Sequence, residues 1–191
     1  GLSVTGWSNI STTNDDVRQT YVGKWSQGLG VEDISGSPEH AIDNKDKDFD
    51  MLLLSFSEAV TLNSIDLGYI HNSDISRSDV SILAFTSSLT SGISWTSLLS
   101  LANGWKTAGN YDNVGTNAKT VNLSSLSAKY WLVGAYNPIQ GNILPIDNKY
   151  DAFKLEKVSV TKTIVKVPEP SALFLFGLGL LGLAAVRRRS H

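Results

Sequence analysis

Met51-Leu52-Leu53-Leu54-Ser55-Phe56 is followed, past Ser57-Glu58, by Val60-Thr61-Leu62-Asn63-Ser64-Ile65-Asp66-Leu67-Gly68-Tyr69-Ile70. The first run is short, apolar and rich in branched and aromatic side chains. It reads as a buried strand that ends at the polar pair Ser57-Glu58. The second alternates apolar with polar residues around a slip at Asn63-Ser64, the pattern of a half-buried strand. Working outward, Val80-Ser81-Ile82-Leu83-Ala84-Phe85 and Trp131-Leu132-Val133-Gly134-Ala135-Tyr136 are two further strands. Ala152-Phe153-Lys154-Leu155-Glu156-Lys157-Val158-Ser159-Val160 alternates most cleanly and reads as the last. Weaker β segments are Thr20–Lys24, Trp105–Thr107 and Lys119–Leu123; helical patterning is confined to Ser97-Leu98-Leu99-Ser100-Leu101, one or two turns. The connections are rich in Gly, Asn, Asp and Ser, which turns require. Many short strands joined by such turns predict an all-β fold, an antiparallel two-sheet sandwich of jelly-roll type, over residues 1–160. A single C-terminal hydrophobic helix follows it.

The chain has 191 residues, of which 41% are hydrophobic and 18% charged; 25 Ser, 13 Thr and 13 Asn fill the gap. With no cysteine, disulfide scaffolds, thiolate metal sites and thiol catalysis are excluded. The formal net charge of −2 gives no electrostatic footprint for nucleic acid. That average conceals a division. Residues 1–167 carry 13 basic and 17 acidic side chains, a mildly acidic exterior, whereas the tail is basic and apolar.

The tail has three parts. Pro168-Glu169-Pro170 is rigid and non-helical, because each proline fixes its own φ and restricts the residue before it. Ala172–Val186 contains no polar side chain, and Arg187, Arg188 and Arg189 close it with a compact cation. A 15-residue helix is about 22 Å long against roughly 30 Å of hydrocarbon. Adding Ser171 and letting arginines snorkel brings residues 171–186 close to spanning. A core helix would show a polar face, and this segment is apolar all round. Arginines directly after it fit the positive-inside rule for an anchor with its N-terminus outside. Thr161–Val167 is read as a tether.

Val167-Pro168-Glu169-Pro170, the Gly/Leu-rich stretch and the terminal arginines together resemble a PEP-CTERM sorting signal, spanning 168–191 with the basic tail at 187–191. The resemblance implies recognition by a membrane-embedded exosortase that cleaves near the motif. It also implies export by a Gram-negative, exopolysaccharide-making bacterium, a transient inner-membrane anchor, and then release or display at the cell surface or in a biofilm matrix. An exported chain further needs a leader, expected upstream of Gly1. The body resembles the exosortase-dependent surface protein family through Gly28-Leu29-Gly30-Val31, His40-Ala41-Ile42-Asp43-Asn44, Phe56-Ser57-Glu58-Ala59-Val60-Thr61-Leu62, Tyr130–Ala135 and Asp151–Leu155. That resemblance implies a location and no shared activity.

Three constellations bear on chemistry. Asp43-Asn44-Lys45-Asp46-Lys47-Asp48-Phe49-Asp50 is the densest acidic stretch, and Ca²⁺ takes six to eight oxygen ligands. An EF-hand is excluded, because Met51 stands where its glycine belongs and Glu58 falls one place late. In a jelly-roll an early loop can meet the last strand, so a structural Ca²⁺ site of Asp43, Asn44, Asp50 and Asp151 is one reading. A solvated loop balanced by Lys45 and Lys47 is the other. His40 and His71 lie in no HExxH pattern and no serine sits in a nucleophile elbow, so no catalytic residue is assigned. Trp105 and Tyr111, in a Gly/Asn-rich stretch, are the candidates for stacking on sugar; the alternative for all large aromatics is the core. The leading expectation is a non-enzymatic exported surface or matrix protein. The alternatives are a calcium-stabilised module binding exopolysaccharide and a secreted hydrolase.

Overall fold

The computed structural model describes residues 1–9, 16–32, 40–71, 77–85, 91–99, 104–121, 125–141 and 150–162. Among the described residues ten strands carry the fold: β1 (Leu2–Ser8), β2 (Arg18–Trp25), β3 (Gly28–Glu32), β4 (Ile42–Asp43), β5 (Met51–Ile70), β6 (Ser78–Phe85), β7 (Lys106–Val114), β8 (Lys119–Thr120), β9 (Ser127–Ala135) and β10 (Ala152–Lys162). One short helix, α1 (Trp95–Leu99), overlaps the expected helical turns. The all-β expectation holds, and the pairings between strands are antiparallel.

The two-sheet sandwich does not. All ten strands belong to one sheet, in the order β4-β10-β3-β2-β1-β5-β9-β6-β7, with β8 also on β5. An additional β10–β5 pairing closes β1, β2, β3, β10 and β5 into a five-strand barrel, from which β9, β6 and β7 extend. The cause is β5. Its two apolar runs form one strand of 20 residues, about twice the usual upper length. The N-terminal part pairs with β1 on one edge and β9 on the other. The C-terminal part exchanges these partners for β10 and β8. A strand that serves two sets of neighbours leaves no second sheet to pack against the first.

Ser57-Glu58 therefore does not end a strand. It sits at an irregularity in the β5–β9 pairing between Ser55 and Val60, where the strand bends. Its polar groups are satisfied there: Ser57 N–H donates to the Gly1 carbonyl at 3.0 Å, and Lys162 reaches Glu58.

The apolar run 51–54 is continuous because its strand is covered on both faces. Leu52 and Leu54 join Val80, Ile82, Trp131 and Val133 in the larger core, which fills the barrel and continues beneath β9 and β6. Met51 and Leu53 face the other way, toward Trp7, Val17, Leu83, Leu132 and the α1 residues Trp95 and Leu98. Leu53 pairs with Leu132, which pairs with Leu83, so this second core is seated on one rung across three strands. Among the described residues no helix is long and apolar enough to cross a membrane. The expected helix over 171–186, with Pro168, Glu169, Pro170 and Arg187–Arg189, lies outside the described residues.

Candidate functional site

Asp43, Asn44, Asp50 and Asp151 do meet. Asp43 ends β4, Asp50 precedes β5 and Asp151 precedes β10, and the β4–β10 pairing sets them side by side. Asn44 and Asp151 interlock: Asn44 Nδ2 donates to Asp151 Oδ2 at 2.9 Å, and the Asp151 N–H donates to Asn44 Oδ1 at 2.7 Å. Asn44 Nδ2 also reaches the Tyr136 carbonyl at 2.9 Å, tying in the end of β9. Asp43 Oδ1 accepts from the Lys45 N–H at 3.0 Å, and the Asp50 N–H donates to the Asp43 carbonyl at 2.8 Å. Asp43, Asp50 and Asp151 are all buried.

The sequence reading missed Asp79. Its N–H donates to Asp151 Oδ1 at 2.6 Å, and its Oδ1 accepts from the Asn113 N–H at 2.7 Å. No local pattern marks it, because its partners lie 72 and 34 residues away. With it the network joins β4, β5, β6, β7, β9 and β10.

This arrangement fits hydrogen bonding better than a cation. Carboxylate oxygens of Asp43, Asp79 and Asp151 accept from backbone N–H groups, which disperse their charge locally. Among the described residues no group of three or more acids or histidines is placed to hold a metal ion. The cluster is a polar staple between strand ends.

The two sugar-stacking candidates are corrected. Trp105 is 3% exposed in the second core, stacked on Phe85 with ring centroids 4.7 Å apart. Tyr111 is 8% exposed in the larger core, its hydroxyl 3.4 Å from the Ala108 carbonyl. Neither offers a face to a ligand. The polar composition around them misled, because it belongs to the more exposed residues of β7, whereas Tyr111 is buried within that strand and Trp105 just before it.

The histidines lie elsewhere. His40 Nδ1 is 3.9 Å from Glu32, and its ring stacks on Trp25. His71 Nδ1 shares a 2.9 Å hydrogen bond with the Tyr69 hydroxyl.

The comparisons bear on the other end of the chain. Residues 166–189 match a family model, the PEP-CTERM protein-sorting motif. This chain carries a PEP-CTERM sorting signal. The match takes in Pro168-Glu169-Pro170, the apolar stretch and Arg187–Arg189. A PEP-CTERM signal implies an exported protein that is sorted and processed through an exosortase. No curated protein and no solved structure matches the chain.

Proposed function

We propose that this chain is a non-catalytic protein of the cell surface or extracellular matrix, delivered by its PEP-CTERM tail. In this reading Pro168, Glu169 and Pro170 are the recognition element. Residues 171–186 insert in the inner membrane and hold the chain for processing. Arg187, Arg188 and Arg189 keep the tail's end on the cytoplasmic side. The observation that carries the reading is the three-part tail itself, matched over 166–189. The body supports it by what it spends its polar groups on: the acidic cluster is used in joining strand ends. The sorting reading also places the product among exopolysaccharide in a biofilm matrix.

The test is the intact mass of the surface form in an exosortase-bearing host. The expected product lacks residues 172–191, and Glu169→Ala leaves the full-length chain in the membrane fraction. Surface protein that retains 172–191 would refute the proposal. The calcium-stabilised carbohydrate module remains the second reading. Trp105 and Tyr111 are buried and do not support it, so a sugar site in this reading uses other rings.

A further inference from the structure

A band of rings crosses the barrel where β2, β10 and β5 lie near one another. Trp25, at the end of β2, stacks on His40 with centroids 4.8 Å apart and planes at 25°. Lys154 of β10 holds its ammonium 4.6 Å from the Trp25 ring and 5.1 Å from the Tyr69 ring of β5. Tyr69 bonds to His71, and His71 stacks on Tyr150 at 5.9 Å. Tyr150 is 39% exposed, His71 is exposed, and Trp25, His40, Tyr69 and Lys154 are half-buried.

Two features show that the band is built in. Trp25 lies across Gly23, where a Cβ would stand 1.8 Å from its ring, so the bare glycine makes room for the indole. Among the described residues no carboxylate forms a salt bridge with Lys154. Burial pushes its ammonium below the ordinary lysine value. Cation–π contact with two rings compensates only part of a lost hydration shell.

We propose that this band binds a carboxylated polysaccharide, a chain of uronic-acid type. The Lys154 ammonium turns from the ring faces to a sugar carboxylate, and the faces it leaves on Trp25 and Tyr69, with the side of Tyr150 turned away from His71, take the apolar C–H faces of successive sugar rings. A row of rings on a strand surface suits an extended ligand. A single cation among rings suits isolated carboxylates, whereas a phosphate backbone calls for several cations. The acidic body repels a polyanion at long range, but beyond about 8 Å that repulsion is screened at physiological salt. The proposal rests on the carbohydrate-binding second reading, with no calcium in it, and stands apart from the sorting reading, because its residues all lie between Trp25 and Lys154.

Calorimetric titration of the full chain in detergent with oligogalacturonate, and with the same oligosaccharide after reduction of its carboxyl groups, tests it. The acidic chain is expected to bind and the reduced chain to bind about tenfold more weakly, the scale of one charged hydrogen bond. Lys154→Gln should erase that difference by weakening only the acidic chain. Trp25→Ala should weaken both; Tyr150→Ala, at an exposed position that does not endanger the fold, should do the same. Equal binding of the two oligosaccharides overturns the proposal. So does absence of binding, or affinity unchanged in both Lys154→Gln and Tyr150→Ala.

Discussion

Replacing Asp151 by alanine isolates the polar staple. The substitution removes the acceptor of the Asp79 N–H at 2.6 Å and one acceptor of Asn44 Nδ2 at 2.9 Å. Asn44 Nδ2 keeps the Tyr136 carbonyl, so one donor is orphaned and a second is half-satisfied. A buried donor left unmatched costs about 1–3 kcal/mol, which puts the whole loss at about 2–4 kcal/mol. That is a large fraction of the roughly 5–15 kcal/mol that holds a domain folded. In a domain of this size it lowers Tm by roughly 4–16 °C. Urea unfolding followed by tryptophan fluorescence should show a lower midpoint with an unchanged slope, because the surface exposed on unfolding is the same. Asn44→Ala in the same background should add less than its own separate cost, with a coupling of about 0.5–3 kcal/mol for groups in one network. A loss below about 1 kcal/mol for Asp151→Ala would refute the staple. Millimolar Ca²⁺ should leave the wild-type midpoint where it is; a rise would show a ligand bound to the native state and make the cluster a cation cage.

Two further outcomes follow from close packing and from charge. At Gly30 a Cβ would stand 1.9 Å from the His40 carbonyl oxygen, a backbone atom that cannot swing aside. Gly30→Ala should therefore cost about 1–3 kcal/mol in urea unfolding, the scale of overpacking, and should disturb the near-ultraviolet signal of Trp25, which stacks on His40. Lys162 bonds to Glu58 at 2.5 Å and, by that bond and its charge, holds the Glu58 carboxyl below its usual value of 4.5. A carboxyl with a depressed folded pKa contributes stability that is present above its unfolded value and lost as pH falls through the folded one. The small difference between wild type and Lys162→Gln should thus be full at neutral pH, vanish in acid, and shrink with added salt, as an exposed pair requires.

Strand identity was legible where the side-chain pattern was local. The segments at 80–85 and 152–160 fall in strands, and so does 131–136 up to Ala135, because alternation and apolar runs report burial face by face. β1 and β3 were not legible: Leu2-Ser3-Val4-Thr5 alternates for only four residues before Gly6 interrupts it, and β3 holds two glycines whose place is set by what lies above them. The meeting of Asp43, Asn44 and Asp50 with Asp151 was legible as well, since it needs only an early loop near the last strand. Its character was not. Whether those oxygens face a cation or backbone N–H groups depends on Asp79 and Asn113, which no spacing connects to them.

By itself the sequence determined an all-β body without thiol chemistry and a three-part sorting tail, because period, composition and a contiguous motif are properties of neighbouring residues. Only the tertiary structure decided that one 20-residue strand pairs with β1, β8, β9 and β10 and so closes five strands into a barrel with the others extending from it. It alone buried Trp105 and Tyr111 and gathered Trp25, Tyr69, His71, Tyr150 and Lys154 along one band. Pairing and closure are made by backbone hydrogen bonds between segments far apart in the chain, and those bonds leave no mark on the order of side chains along it.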